Sequence, residues 1–334
     1  LSRDPHLVRK AAEALEEISQ CSSRLIAGNN PAIAELEKML AIHRGTDGAL
    51  VFPTGYMANL GAVTAIADKN TTILSDELNH ASLIDACRLS GASIRVFRHN
   101  DAEHLEELMR KAGGRKVVIT EGIFSMDGDT AALREIRKIA RENDAITVLD
   151  DAHGDFIFGE NFSGVPALLG ERVDIHVSSL SKALGCFGGY VASSRNVIEL
   201  LINASKQFIY TSALPWHLCV AAREAMKLGK KGNRQARLFQ NIKFLREELS
   251  NLGFEIGNSN SQIIPIMIGR EDIAVQFSKQ LLEAGIFVQA VRYPTVKRGS
   301  ARLRLSVTAM HTKTQLQVAA KALRHIGKKY DIIG

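Results

Sequence analysis

ITVLDDAHG, residues 146–154, is an apolar run that ends on two carboxylates and puts a histidine three residues after the first of them. The run 146–150 is apolar nearly throughout, as a strand covered on both faces should be. Such strands belong to sheets with helices on either side, and ligands of open α/β sheets bind beyond the carboxyl ends of the strands. Similar short runs lie at 49–52, 72–75, 93–98, 116–120, 175–178 and 189–193, with helical stretches such as 102–112 and 133–143 between them. This alternation predicts an α/β fold with a mostly parallel, seven-stranded sheet.

Texture changes on both flanks. The spacing of Leu7, Ala11, Ala14, Leu15 and Ile18 predicts an amphipathic helix over 4–19, and Ile33, Leu36, Leu40 and Ile42 predict another over 32–43. Beyond about residue 220 a long helical region, 219–252, leads to strand-like segments near 262–268, 287–290 and 301–307 and a last helix at 314–328. The expected organisation is an N-terminal helical segment (1–45), a large domain (46–225) and a small α+β domain (226–334).

Composition narrows the function classes. The 334 residues are 46% hydrophobic and 23% charged, with a net charge of +6 spread along the chain. That charge suits phosphates and acidic cofactors but forms no basic tract for nucleic acid. The four cysteines, at 21, 87, 186 and 219, form no C-x-x-C pair, and no metal-ligand spacing is present. Free thiols in a reducing cytosol are expected, and no membrane span. The sequence starts at Leu1 with no signal-like stretch after it, which leaves room for a preceding segment.

Two loops carry the chemistry. Asp150 ends an apolar strand and His153 follows it; alone, the pair also reads as a helix cap with a solvated carboxylate. The second loop, SSLSKALG at 178–185, puts Lys182 just past another buried strand, among hydroxyls suited to phosphate. Alone it reads as a surface lysine in a Gly/Ser loop. A partly buried lysine there favours the neutral nucleophilic amine. Taken together, a lysine for an imine and a carboxylate for a pyridinium nitrogen are the two requirements of pyridoxal 5′-phosphate (PLP) catalysis. Lys182 follows Asp150 by 32 residues, room for one crossover and a neighbouring strand. Thr54-Gly55-Tyr56 opens an apolar helix after a strand, and the N–H groups of such a helix start suit a phosphate dianion.

Eight collinear blocks extend the pattern: CSSRLIAGN (21–29), FPTGYMANLG (52–61), SDELNHASLIDACRLSGA (75–92), TEGIFSMDGD (120–129), DDAHG (150–154), SLSKALG (179–185), FIYTSALP (208–215) and ARLRLSVTAMHT (301–312). In these blocks the chain resembles the α-oxoamine synthases, a branch of the fold-type I PLP transferases. The resemblance implies that Lys182 forms the imine, that Asp150 pairs with the pyridinium nitrogen, and that His80 stacks on the ring. It implies that His153 and Ser125 lie near the phenolic oxygen and that Gly55, Tyr56 and Ser179 bind the phosphate. Thr211 and Ser212 would reach the phosphate of a neighbouring subunit, which makes the expected species a homodimer with shared sites. Arg304, with Thr295 nearby, would bind the amino-acid carboxylate; for Arg302, a surface ion pair is expected. The chain departs from the family at Ile33, where a histidine is common, and at Ser179, where threonine is usual. An N-terminal substrate arginine found in some members would precede Leu1.

The implied reaction joins a small amino acid to an acyl-CoA thioester with release of CoA. DDAHG, LSK and IYTSALP look more like the members that join alanine to a pimeloyl thioester in biotin formation. LNHASLIDACRL, IIPIMIG and HIGKKYDIIG look more like those that join glycine to acetyl-CoA. The balance falls narrowly on the first. Another fold-type I enzyme, such as an aminotransferase or a desulfurase using Cys186, and a non-catalytic PLP-binding protein are the readings from other classes.

Overall fold

A computed structural model describes residues 1–15 and 21–334. The chain forms two compact units, Leu1–Ile123 with Ala131–Lys231, and Phe124–Thr130 with Gly232–Gly334.

The first unit is built on seven strands: β1 (Gly48–Phe52), β2 (Thr71–Asp76), β3 (Ser93–Phe97), β4 (Arg115–Glu121), β5 (Ile146–Asp150), β6 (Ile175–Ser179) and β7 (Gly189–Ser193). Their order is β1-β7-β6-β5-β4-β2-β3. β7 runs antiparallel to β1 and β6, and the other pairings are parallel. The expected mostly parallel sheet is therefore present. Alternate residues supply two cores, as strand geometry requires. Leu50, Phe52, Val148 and Val177 face a layer containing Ala58, Ala62 and Leu83. Ala49, Val51 and Tyr190 face Leu36, Leu40 and Cys219. Each Val, Leu, Ile or Phe buried in this way contributes about 1.5–3 kcal/mol.

Four local expectations are corrected. β3 is an edge strand, and Ile94 and Val96, which share one of its faces, are exposed. In the helix Pro31–Arg44 the buried face carries Ile33, Leu36, Leu40 and His43, while Ile42 is 66% exposed. The period of 3.6 selects position 43, and Asp155 Oδ1 lies 3.0 Å from the Nε2 of the buried imidazole. The first helix spans Pro5–Glu13 and buries only Leu7; Leu15 lies beyond it and is exposed, and Ile18 is outside the described residues. The region 219–252 is two helices, Trp216–Gly229 and Asn233–Asn251, divided at Gly232, whose φ of 76° ends a right-handed helix.

The second unit holds β8 (Ile263–Gly269), β9 (Gln289–Val291) and β10 (Ala301–Ser306), antiparallel in the order β8-β10-β9, with helices Glu271–Glu283 and Lys313–Lys329. Two arginines two residues apart on β10 hold the excursion Phe124–Thr130. Arg302 pairs with Asp127, and the Nε of Arg304 donates to the Ser125 carbonyl at 2.5 Å. The ion pair expected of Arg302 exists, but its guanidinium is buried rather than at the surface. Among the described residues no helix is long and apolar enough to cross a membrane.

Candidate active site

β4, β5 and β6 are adjacent and parallel, so their carboxyl ends bring Glu121, Asp150 and Ser179 to one edge of the sheet. All three line one cleft with Thr54, Tyr56, Asn59, His80, His153, Ser181 and Lys182. Asp150 is 8% exposed. Its Oδ2 accepts from Asn59 Nδ2 at 2.6 Å and its Oδ1 from the Ala152 N–H at 3.0 Å. Burial pushes its pKa up; the two hydrogen bonds and the charge of Lys182 pull the other way without overcoming it. A buried carboxylate in that state is stabilised by a cation brought against it.

The opposite pole of the cleft suits an anion. Thr54 caps the helix Gly55–Ile66, its hydroxyl accepting from the Met57 N–H at 3.1 Å. The N–H groups of Gly55 and Tyr56 in that first turn have no carbonyl within the helix to receive them. Ser179 is the neighbour a side chain at Gly55 would touch, at 3.1 Å, and its hydroxyl meets that of Ser181 at 2.7 Å. Register explains the closeness: Gly189 pairs with Ser179 and with Phe52, so β7 begins directly beneath the Thr54–Gly55 turn. A Cβ at Gly189 would lie 2.4 Å from the Gly55 nitrogen. Amine, buried carboxylate, two imidazoles and an anion cradle form the donor set that a planar, protonatable ring with a phosphate requires, and the residues present fit PLP.

Of the residues singled out from the sequence, Lys182, Asp150, His153, His80, Gly55, Tyr56 and Ser179 meet in this cleft. Lys182 is exposed rather than partly buried, because the loop after β6 carries it to the open side of the cleft. Tyr56 is 43% exposed, its hydroxyl bonded to Asp85. Thr211 and Ser212 line a different surface hollow with Leu25, Ile26 and Tyr210. Ser125, Arg304 and Thr295 belong to the second unit; Thr295 is exposed in the turn after β9. Sequence reading missed Asn59, Ser82 and Glu121, and took Ser181 only as one of the hydroxyls around Lys182. Glu121 was discoverable, since an apolar strand closing on a carboxylate is the pattern that marked Asp150. A lone amide on an apolar helix, at Asn59, was a fainter signal.

Behind the cleft, Asp151 holds the loop that presents Asp150 and His153. It is fully buried, accepts the Val165 N–H at 2.9 Å and lies 3.4 Å from His176 Nε2. Burial pushes Asp151 well above the carboxylate range, with Arg44 opposing. Burial also pushes His176 well below its usual value, and the charge of Arg44 acts in the same direction. Gly122, Gly154 and Gly164 enclose the carboxyl group so closely that a Cβ at any of them would come within 2.3 Å of it. At Gly154 the added carbon would lie 2.1 Å from Oδ1, with no unusual φ to complicate the substitution. Gly154→Ala is therefore expected to cost about 2–3 kcal/mol in denaturant unfolding. Gly113→Ala, where a Cβ would meet nothing within 4 Å, is the control and should be near neutral.

Comparison with known proteins agrees with this geometry. A family model described as aminotransferase class I and II matches residues 2–323. The 8-amino-7-oxononanoate synthase of Thermoanaerobacter pseudethanolicus is 42% identical over 341 aligned residues, covering 100% of this chain and 86% of the relative. A serine palmitoyltransferase from S. paucimobilis, solved with a bound PLP–myriocin aldimine, superposes with a TM-score of 0.96 at 32% identity, covering 99% of this chain and 86% of that one. The 8-amino-7-oxononanoate synthase of Francisella tularensis gives a TM-score of 0.86 at 28% identity, covering 100% and 96%.

Proposed function

The chain belongs to the aminotransferase class I and II family, in its α-oxoamine synthase branch, and from that membership we propose that it is a PLP-dependent acyltransferase of the 8-amino-7-oxononanoate synthase type. The substrates are alanine and a pimeloyl thioester. A bond forms between the amino-acid Cα and the thioester carbonyl carbon, the carbon–sulfur bond breaks, CoA leaves as the thiol, the amino-acid carboxylate departs as CO₂, and Cα takes up a proton in its place. The observation that carries the reading is the single cleft in which Lys182, Asp150, His80 and His153 face an anion cradle.

When bound, PLP supplies an electrophilic carbonyl and a sink for the electrons of the Cα–H bond. Lys182 holds the cofactor by its amine and takes the Cα proton. Asp150 keeps the ring nitrogen protonated, and that cation offsets the burial that otherwise raises the Asp150 pKa. By the family resemblance, His80, His153 and Ser125 would hold the ring. Gly55, Tyr56 and Ser179 take the phosphate, joined by Thr211 and Ser212 of a partner subunit in a homodimer. Leu25, Ile26 and Tyr210, exposed by 58%, 79% and 79% beside Thr211, support that association. Arg304 and Thr295 bind the substrate carboxylate, a role that rests on the family resemblance. A desulfurase role is disfavoured, since burial pushes the Cys186 thiol up to about 11.

Thiol release measured for alanine, glycine and serine against acetyl-, pimeloyl- and palmitoyl-CoA tests the proposal. Alanine with pimeloyl-CoA should be fastest. Preference for glycine with acetyl-CoA would replace it with a glycine C-acetyltransferase. Amine transfer to a keto acid without thiol release would make the chain an aminotransferase.

A further inference from the structure

We propose that Asn59 is a positioning residue that ties Asp150 to His80 through Ser82, orienting the carboxylate with one amide hydrogen and setting the tautomer of the imidazole with the other. Asn59 is 1% exposed, on a helix whose other buried side chains are Ala58, Ala62, Val63 and Ile66. Its Nδ2 donates to Asp150 Oδ2 at 2.6 Å and to Ser82 Oγ at 2.9 Å, which uses both amide hydrogens. The partners decide which way the amide faces. Turned over, Oδ1 would confront a carboxylate oxygen and be repelled. Oδ1 is itself buried with no hydrogen-bond partner, a cost borne to keep the nitrogen in place.

The path continues from Ser82. Its hydroxyl oxygen accepts from Asn59, so its single hydrogen is left for His80 Nδ1, 2.7 Å away. The Ser82 backbone N–H donates to the same nitrogen at 3.2 Å, where His80 caps the helix Ala81–Ser90. A ring nitrogen that receives two donors carries no hydrogen, so the neutral imidazole bears its proton on Nε2. Asn59 touches neither substrate nor cofactor in this scheme. It acts on the two groups assigned to opposite aspects of the ring, the nitrogen and the face. The tautomer follows from the hydrogen bonds alone; only its consequence for the cofactor rests on the proposed function.

Histidine-selective ¹⁵N labelling of the holoenzyme, with the His80 signals assigned by their loss in His80→Gln, reads the tautomer directly. The wild type should show a single Nε2–H form. Ser82→Ala should give a mixture of tautomers, and Ser82→Thr, which keeps the hydroxyl, should restore the single form. Asn59→Ala should give the mixture and also weaken PLP binding by about tenfold. His80 protonated on Nδ1 in the wild type would overturn the inference. So would a single Nε2–H form that persists in Ser82→Ala, a result available even if Asn59→Ala does not fold. Failure of borohydride to fix PLP on Lys182, with the tautomer as stated, would count against the proposed function and leave this inference standing.

Discussion

Alanine in place of Lys182 is expected to lower turnover by at least about 10³-fold, the size of a lost proton-transfer group, with the fold unchanged. Two jobs fall on this amine, covalent tethering and removal of the Cα proton, and among the described residues no other lysine lines the cleft. Its side chain is exposed, so truncation removes little packing, and the stability change should stay within about 0.5 kcal/mol. Unaltered unfolding beside abolished thiol release would therefore isolate chemistry from folding. Borohydride should fix the cofactor to the wild-type chain, peptide mapping should find it on Lys182, and the variant should retain no covalent label. An adduct mapped to another lysine, or normal turnover in Lys182→Ala, would sink the assignment.

The second large effect is expected at Asp150. Asp150→Ala removes one member of a buried pair formed with the ring nitrogen, a loss of about 3 kcal/mol, or roughly a hundredfold in cofactor affinity. Asn59 Nδ2 and the Ala152 N–H would lose their shared acceptor. Relief of the burial that raises the Asp150 pKa partly offsets that loss, so global stability should change less than cofactor binding. Asp150→Asn keeps the shape without the charge and separates the two contributions. It should bind PLP weakly and turn over slowly while unfolding like the wild type. Wild-type affinity and rate in Asp150→Asn would remove the carboxylate from the mechanism.

Legibility differed by the range of the interactions involved. The seven strands could be read because each is a short, nearly continuous apolar run, and the segments that end on chemistry could be read because a carboxylate or lysine is conspicuous at such a boundary. Faces were harder. Ile42 looks like core and is 66% exposed, while His43 looks polar and is 5% exposed, since a carboxylate more than a hundred residues away receives it. Arg302 looked like a surface charge until Asp127 was placed beside it.

The order β1-β7-β6-β5-β4-β2-β3 is a tertiary fact, and it decides that Asp150 and Ser179 become neighbours and that Gly189 comes to lie under the Thr54–Gly55 turn. The Asn59–Ser82–His80 path is tertiary for the same reason, since its members are brought together by packing between helices. From the sequence alone came the α/β class, the strand set, Lys182, Asp150 and His153, and the family they resemble, because local pattern and residue type suffice for these. The tertiary structure alone decided which polar groups are buried, which donors are used, and which residues share a cleft, because each depends on distant segments meeting and on how a buried polar atom is satisfied when they do.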